Sequence, residues 1–210
     1  MRRLVVSTFV TLDGVVEAPH RWSFDFQSPD TLRRAVDVLF AADALLLGRR
    51  TYETFAAAWP SRRDELGFAD RMNALPKHVV STTLRRPRWN NTRVIADDVV
   101  EEVRRLKATG EGARAGPQDA GDADEDAPRR TGDLLMYGSP TLMRALLPHD
   151  LIDELLLLLN PVVIGGGARL FPEGVPPQAL ATEDATPLGG GMTLLRLRPA
   201  TVGRPTVARD

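Results

Sequence analysis

The chain has 210 residues, 43% of them hydrophobic and 26% charged, enough for one well-buried α/β domain. Its 27 Lys+Arg and 28 Asp+Glu nearly cancel, leaving no overall field to draw it to nucleic acid or anionic lipid, so any anion site must be local. It contains no cysteine, and its three histidines (His20, His78, His149) are scattered, which excludes disulfides, thiolate nucleophiles and a Cys- or His-built metal site.

The N-terminus reaches the polar turn Thr11-Leu12-Asp13-Gly14 before a signal-peptide core forms, and the run Leu155 to Leu159 is too short to span a bilayer. A cytoplasmic location, without membrane contact, is expected. Leu4 to Val10 reads as the first strand. Ser28-Pro29-Asp30 then opens a helix with a serine N-cap, a first-turn proline and an acid at the positive end. Its stripe of Leu32, Ala35, Val36, Leu39 and Phe40 follows helical spacing. Ahead of this helix, Trp22 and Phe24 either pack as a staple or wall a planar substrate.

Ala44 to Leu47 predicts a buried strand and Thr51 to Ala58 a helix stopped by Trp59-Pro60. Lys77 to Ser81 and Arg93 to Ala96 are the next strands, and Asp98 with Glu101 forms a capping-box pattern before a helix that ends near Gly110. From 109 to 131 the residues are mostly Gly, Ala, Asp, Glu and Pro, which predicts a disordered acidic insertion in a domain spanning 1–200, with a frayed tail at 201–210. Leu134 to Tyr137 is a strand leading into a helix that Ser139-Pro140 starts and Pro148 stops. Glu154 to Asn160 with Val162 to Ile164 reads as one long, bulged strand, and Met192 to Leu197 as a late strand pairing antiparallel at an edge. Strands alternating with helices predict a three-layer αβα fold on a mostly parallel sheet.

Open α/β sheets bind ligands at the carboxyl ends of their strands. Three such ends carry suitable groups. Gly48-Arg49-Arg50-Thr51 joins a strand to a helix start with two guanidinium groups beside free N–H groups, a cradle for pyrophosphate or a 2′-phosphate, or else an ordinary turn with solvated arginines. Ser81 and Thr82 end a strand before Arg85 and Arg86, and read either as an adenosine-side contact or as a capped turn. Gly138-Ser139-Pro140-Thr141-Leu142 is a second strand-to-helix junction, whose Ser139 a plain helix cap would also explain. No G-x-G-x-x-G is present, so the fold is not the dinucleotide-binding Rossmann type.

Taken in order, the Asp13-Gly14 turn, the Gly48–Thr51 junction, the Val80-Ser81 strand end, the Gly138-Ser139 junction and Asp153-Glu154-Leu155 leading to Pro161-Val162-Val163-Ile164-Gly165-Gly166-Gly167 resemble one family. It is the dihydrofolate-reductase-like family, and within it the C-terminal reductase domain of riboflavin-biosynthesis deaminase-reductases and its stand-alone relatives. The resemblance implies an eight-stranded, mostly parallel sheet, a homodimer, and NADPH as cofactor. It puts Arg49 near the 2′-phosphate, Gly48, Arg50 and Thr51 around the phosphates, and Ser81 and Thr82 along the adenosine. Gly138, Ser139, Thr141 and Leu142 would run beneath the diphosphate and nicotinamide. Asp13, either a turn residue or a catalytic one, would begin the loop over the nicotinamide.

The resemblance further implies hydride transfer to a small heterocycle: a 5-amino-6-(5-phosphoribosylamino)uracil-like pyrimidine or a pterin. The carboxylate that dihydrofolate reductases carry on the helix after the first strand has no clear match, because Asp25, Asp30 and Asp37 all lie off the apolar stripe. The zinc-binding His and Cys pattern of the deaminase half is absent from a chain without cysteine. The alternative is a non-catalytic nucleotide-binding or interaction module that keeps the reductase fold. Nucleic acid is not an expected partner, since only Trp89 offers stacking near Arg85, Arg86 and Arg88.

Overall fold

A computed structural model describes residues 1–109 and 132–200. The insertion expected between 109 and 131 and the tail expected after 200 lie outside these residues, save for Thr109, which ends a helix. Eight strands form one sheet in the order β4-β3-β2-β5-β1-β6-β8-β7. They are β1 (Leu4–Thr11), β2 (Ala42–Gly48), β3 (Lys77–Val80), β4 (Thr92–Ile95), β5 (Asp133–Tyr137), β6 (Glu154–Asn160), β7 (Leu180–Pro187) and β8 (Thr193–Pro199). The first six run parallel, and β8 pairs antiparallel with both β6 and β7. The mostly parallel sheet and its antiparallel edge are as expected from the sequence.

Two apolar layers follow from the strand alternation. On one face Leu4, Val6, Leu46, Leu134 and Met136 pack beneath α4 (Val99–Thr109) and α5 (Pro140–Leu146). On the other, Val5, Leu45, Leu47, Leu135 and Leu156 pack beneath α1 (Pro29–Ala41), α2 (Arg49–Ala58) and α3 (Phe68–Ala74). Leu45, Leu46, Leu47, Leu134, Leu135 and Met136 are all fully buried, which is why β2 and β5 read as unbroken apolar runs. Ser28 caps α1 as expected, accepting a bond from Thr31 N–H.

Several expectations are corrected. Val162 to Ile164 do not extend β6. The strand ends at Asn160, and the segment turns away to be held by Leu12 N–H on the Val162 carbonyl and by Asp13 on the Ile164 N–H. The late strand β8 is antiparallel but lies inside β7, which is the true edge. The stripe of α1 is only partly covered, with Leu32 and Phe40 about half exposed. Asp98 has a φ of 44°, outside the extended backbone that an N-cap adopts. No helix among the described residues is long and apolar enough to cross a membrane.

Candidate nucleotide site at the strand ends

Strands β2 and β5 are neighbours, yet α2 leaves β2 toward one face of the sheet and α5 leaves β5 toward the other. That divergence marks the place at their carboxyl ends that is the usual ligand position in open α/β sheets. The two junctions there are the two that the sequence marks out.

They are bonded to each other. Ser139 Oγ accepts from Gly48 N–H at 2.9 Å and lies 3.0 Å from Thr51 Oγ1. A Cβ on residue 48 would stand 3.4 Å from that hydroxyl, at the edge of ordinary van der Waals contact. Ser139 occupies the N-cap position of α5 at φ 51°, ψ 50° and makes no side-chain cap to its own helix. Its hydroxyl serves the neighbouring junction instead, which corrects the reading of Ser139 as a simple helix cap. Gly48 likewise leaves the start of α2 without a side-chain cap. The first-turn N–H groups of α2 lack intrahelical acceptors and face the positive end of the helix dipole. Arg49 and Arg50 are exposed there, Arg49 paired with Glu53 one turn on at 3.0 Å.

The other predicted residues divide. Ser81 ends β3 on the same edge, but its hydroxyl accepts from Leu84 N–H at 2.9 Å and Thr83 N–H at 3.2 Å, closing its own turn. Thr82 beside it is exposed. Thr141 is exposed, whereas Leu142 is buried in the core beneath α5. Trp22 donates its indole N–H to the Glu17 carbonyl at 2.9 Å, and Phe24 is 60% exposed, so Phe24 does not pack as a staple. Trp89 is buried, with its indole N–H on Asn73 Oδ1.

Asp13 is fully engaged. Its carboxylate accepts from Thr11 Oγ1 at 2.6 Å, Gly165 N–H at 2.8 Å and Ile164 N–H at 3.3 Å. The Thr11 hydroxyl and then the Gly165 N–H hold its pKa down to about 2. It is therefore an anion at neutral pH and has no proton to give. Nearby, Glu17 accepts from Ala168 N–H at 2.8 Å, and Arg169 donates to the Asp13 carbonyl at 2.6 Å. The turn after β1 and the Gly165-Gly166-Gly167 segment are thus clamped together. They border an open apolar cleft of about 460 Å³ lined by Leu12, Leu159 and Phe171 among others. A smaller cavity of about 170 Å³ lies at the opposite edge, among the paired charges Arg3, Asp133, Glu154 and Arg196.

Sequence reasoning passed over the aromatics on the α1–α3 face. Phe9 of β1, Phe55 of α2 and Tyr137 of β5 are partly buried against that core layer, and Tyr137 ends its strand at this edge. Their place inside apolar runs concealed them.

Residues 2–194 match the family model of the RibD C-terminal domain. The chain belongs to that family. It is 27% identical to the uncharacterized protein YyaP of Bacillus subtilis (strain 168) over 173 residues, 81% of this chain and 80% of that protein. The fold is shared with a putative riboflavin biosynthesis protein from Shewanella sp. PV-4 at a TM-score of 0.68 and 18% identity, covering 94% of this chain and 99% of that one. It is also shared with a diaminohydroxyphosphoribosylaminopyrimidine deaminase/5-amino-6-(5-phosphoribosylamino)uracil reductase from Thermotoga maritima. There the TM-score is 0.57 and the identity 14%, covering 95% of this chain and 57% of that one.

Proposed function

We propose that this RibD C-terminal domain relative is an NADPH-dependent reductase of a small heterocycle, either a pyrimidine of the 5-amino-6-(5-phosphoribosylamino)uracil type or a pterin. The bond from Gly48 N–H to Ser139 Oγ carries the reading. It fuses two strand-to-helix junctions into one surface of backbone donors at the point where the connections diverge, suited to a diphosphate. Family membership and the reductase named among the solved relatives support the same class.

When bound, NADPH would supply the hydride. The chain's own residues bind and orient. Gly48 to Thr51 and the Gly138-Ser139 junction would hold the diphosphate, while Arg49 and Arg50, exposed beside the α2 start, would meet the 2′-phosphate. The clamped turn at Asp13 and Gly14 would shield the nicotinamide side from water. In solution we place the protein as a homodimer, as the resemblance implies, and sedimentation of the purified chain tests this.

Titrating NADPH and NADH against the protein and the Arg49→Ala/Arg50→Ala double variant tests the cofactor assignment. A preference for NADPH of roughly tenfold or more is expected, largely lost in the double variant, since each charge-assisted contact contributes about 1.5–3 kcal/mol. Equal affinity for both nucleotides in the wild type would remove the 2′-phosphate assignment.

A second reading, nucleotide binding without turnover, draws on Asp13, the acid nearest the loop, whose carboxylate is already fully bonded. NADPH oxidation with pyrimidine and pterin substrates separates the two readings.

A further inference from the structure

Tyr137 closes β5 at the edge where the two junctions meet, level with Ser7 of β1. Along β5 the side chains alternate. Leu134 and Met136 belong to the core under α4 and α5, while Leu135 and Tyr137 face the opposite layer. There the Tyr137 ring meets Phe55 of α2 edge-on, with centroids 5.8 Å apart and planes inclined at 61°. The residue as a whole is half-buried, yet its hydroxyl oxygen is out of solvent and has no hydrogen-bond partner.

The two facts together are informative. The exposed part of Tyr137 does not include that oxygen, while its ring is the kind of surface on which a planar molecule stacks. What the core hides is a hydroxyl whose desolvation costs about 1–3 kcal/mol when unpaired. Phenylalanine would fill the same space without that cost. Buried polar groups almost always have partners, and local rules are broken chiefly where function requires it. Burial also pushes the phenol pKa up, so the group is an O–H donor throughout the physiological range.

We infer that Tyr137 is a substrate-recognition residue, its ring lying against the heterocycle and its O–H, hidden and unpaired in the described position, turning outward to donate to a ring carbonyl or unprotonated ring nitrogen once the substrate is seated. The inference rests on the reductase reading and adds to it the group that selects the substrate. A neutral donor favours an acceptor edge, whereas a carboxylate favours a protonated or amidine-like one. The acids on and just before α1 do not compete for this role: Asp30 pairs with Arg33 in solvent, and Asp25 and Asp37 are exposed.

The test compares the wild type with Tyr137→Phe by three measurements: thermal unfolding without ligand, NADPH titration, and calorimetric titration of the NADP⁺-saturated protein. The calorimetric probes are 5-amino-6-(5-phosphoribosylamino)uracil and 7,8-dihydropterin. The wild type should bind at least one probe. The variant should unfold at no lower temperature, bind NADPH within about twofold of wild type, and lose roughly tenfold in affinity for that probe, as loss of one hydrogen bond predicts. A lower unfolding temperature for the variant would make the hydroxyl structural and overturn the inference. So would unchanged probe affinity, or a wild type that binds NADPH but neither probe. A wild type that fails to bind NADPH sinks the reductase reading itself, and the nucleotide titration reports that separately.

Discussion

A serine at φ 51° occupies backbone space that costs a residue with a Cβ about 1–2 kcal/mol. Ser139 accepts that strain while its hydroxyl holds the Gly48 N–H. Ser139→Ala keeps the strain and loses the bond, so a destabilisation of about 1–2 kcal/mol is expected in urea unfolding, together with weaker NADPH binding. Ser139→Gly loses the bond but relieves the strain, and should be the milder of the two; the reverse order would show that the left-handed backbone costs nothing here. His78 makes a second residue-scale prediction. It lies buried on β3 with neither ring nitrogen bonded, and burial, then the charges of Arg93 and Arg2, lower its pKa to about 4. Arg105 acts in the same sense, and only Glu102 opposes them. Between about pH 6.5 and pH 4 the unfolded chain takes up a proton that the folded chain refuses, so stability falls as pH falls through that window and is intact above it. The loss amounts to up to about 3 kcal/mol. Urea midpoints at pH 7.5 and pH 5 should therefore differ less in His78→Leu than in the wild type; an equal difference would show that His78 does not titrate with folding.

At the scale of elements, the clamp between the turn after β1 and the 162–170 segment combines exposed side-chain contacts with backbone bonds from Leu12 N–H to Val162, Val16 N–H to Ala168 and Leu170 N–H to Gly14, beside the buried Val15 and Leu170. Asp13→Ala removes three of its bonds, those from Thr11, Ile164 and Gly165. The amides of Ile164 and Gly165 should then exchange with deuterium faster, while those of β1 and β6 keep their protection. Unchanged exchange at these two amides would mean that Glu17 and Arg169 hold the clamp without Asp13. The same segment shows where the sequence could be read and where it could not. Among the described residues, seven of the eight strands and four of the five helices are legible as short apolar runs or as helical patterns bounded by Ser-Pro, Trp-Pro or a capping-box pattern. Val162 to Ile164 has strand composition, but tertiary bonds to Leu12 and Asp13 bend it into a loop. Strand β7 was illegible because its Leu-Ala-Thr-Glu-Asp-Ala-Thr-Pro is mostly exposed and has no apolar alternation. Helix α3 is only seven residues long and starts at Gly67 in the left-handed region, its first N–H groups held by Asp64 from outside the usual cap position. Of the candidate site, the Gly48 and Gly138-Ser139 junctions could be located from turn chemistry. The bond between them, the burial of Leu142 and the unpaired Tyr137 hydroxyl depend on which strands become neighbours, which local pattern does not encode.

For the molecule as a whole, a ligand that bridges β2 and β5 ties together two neighbouring, largely buried strands from the interior of the sheet. NADPH at a hundred times its dissociation constant should add about 2.7 kcal/mol to unfolding, read as a rise in melting temperature, with NADH at the same concentration adding less. No shift with either nucleotide would separate the fold from the proposed activity. The bond that joins the nucleotide surface links residues 91 apart in sequence, because β5 slots between β1 and β2 long after both have been made. On the ribosome, then, the first half of this protein emerges with a gap down the middle of its sheet, two apolar strand edges waiting for a third. Ribosome-stalled chains shorter than about 140 residues should accordingly be sticky, chaperone-dependent and blind to nucleotide, and the ability to hold a cofactor should arrive in one late step, when the missing strand closes the gap.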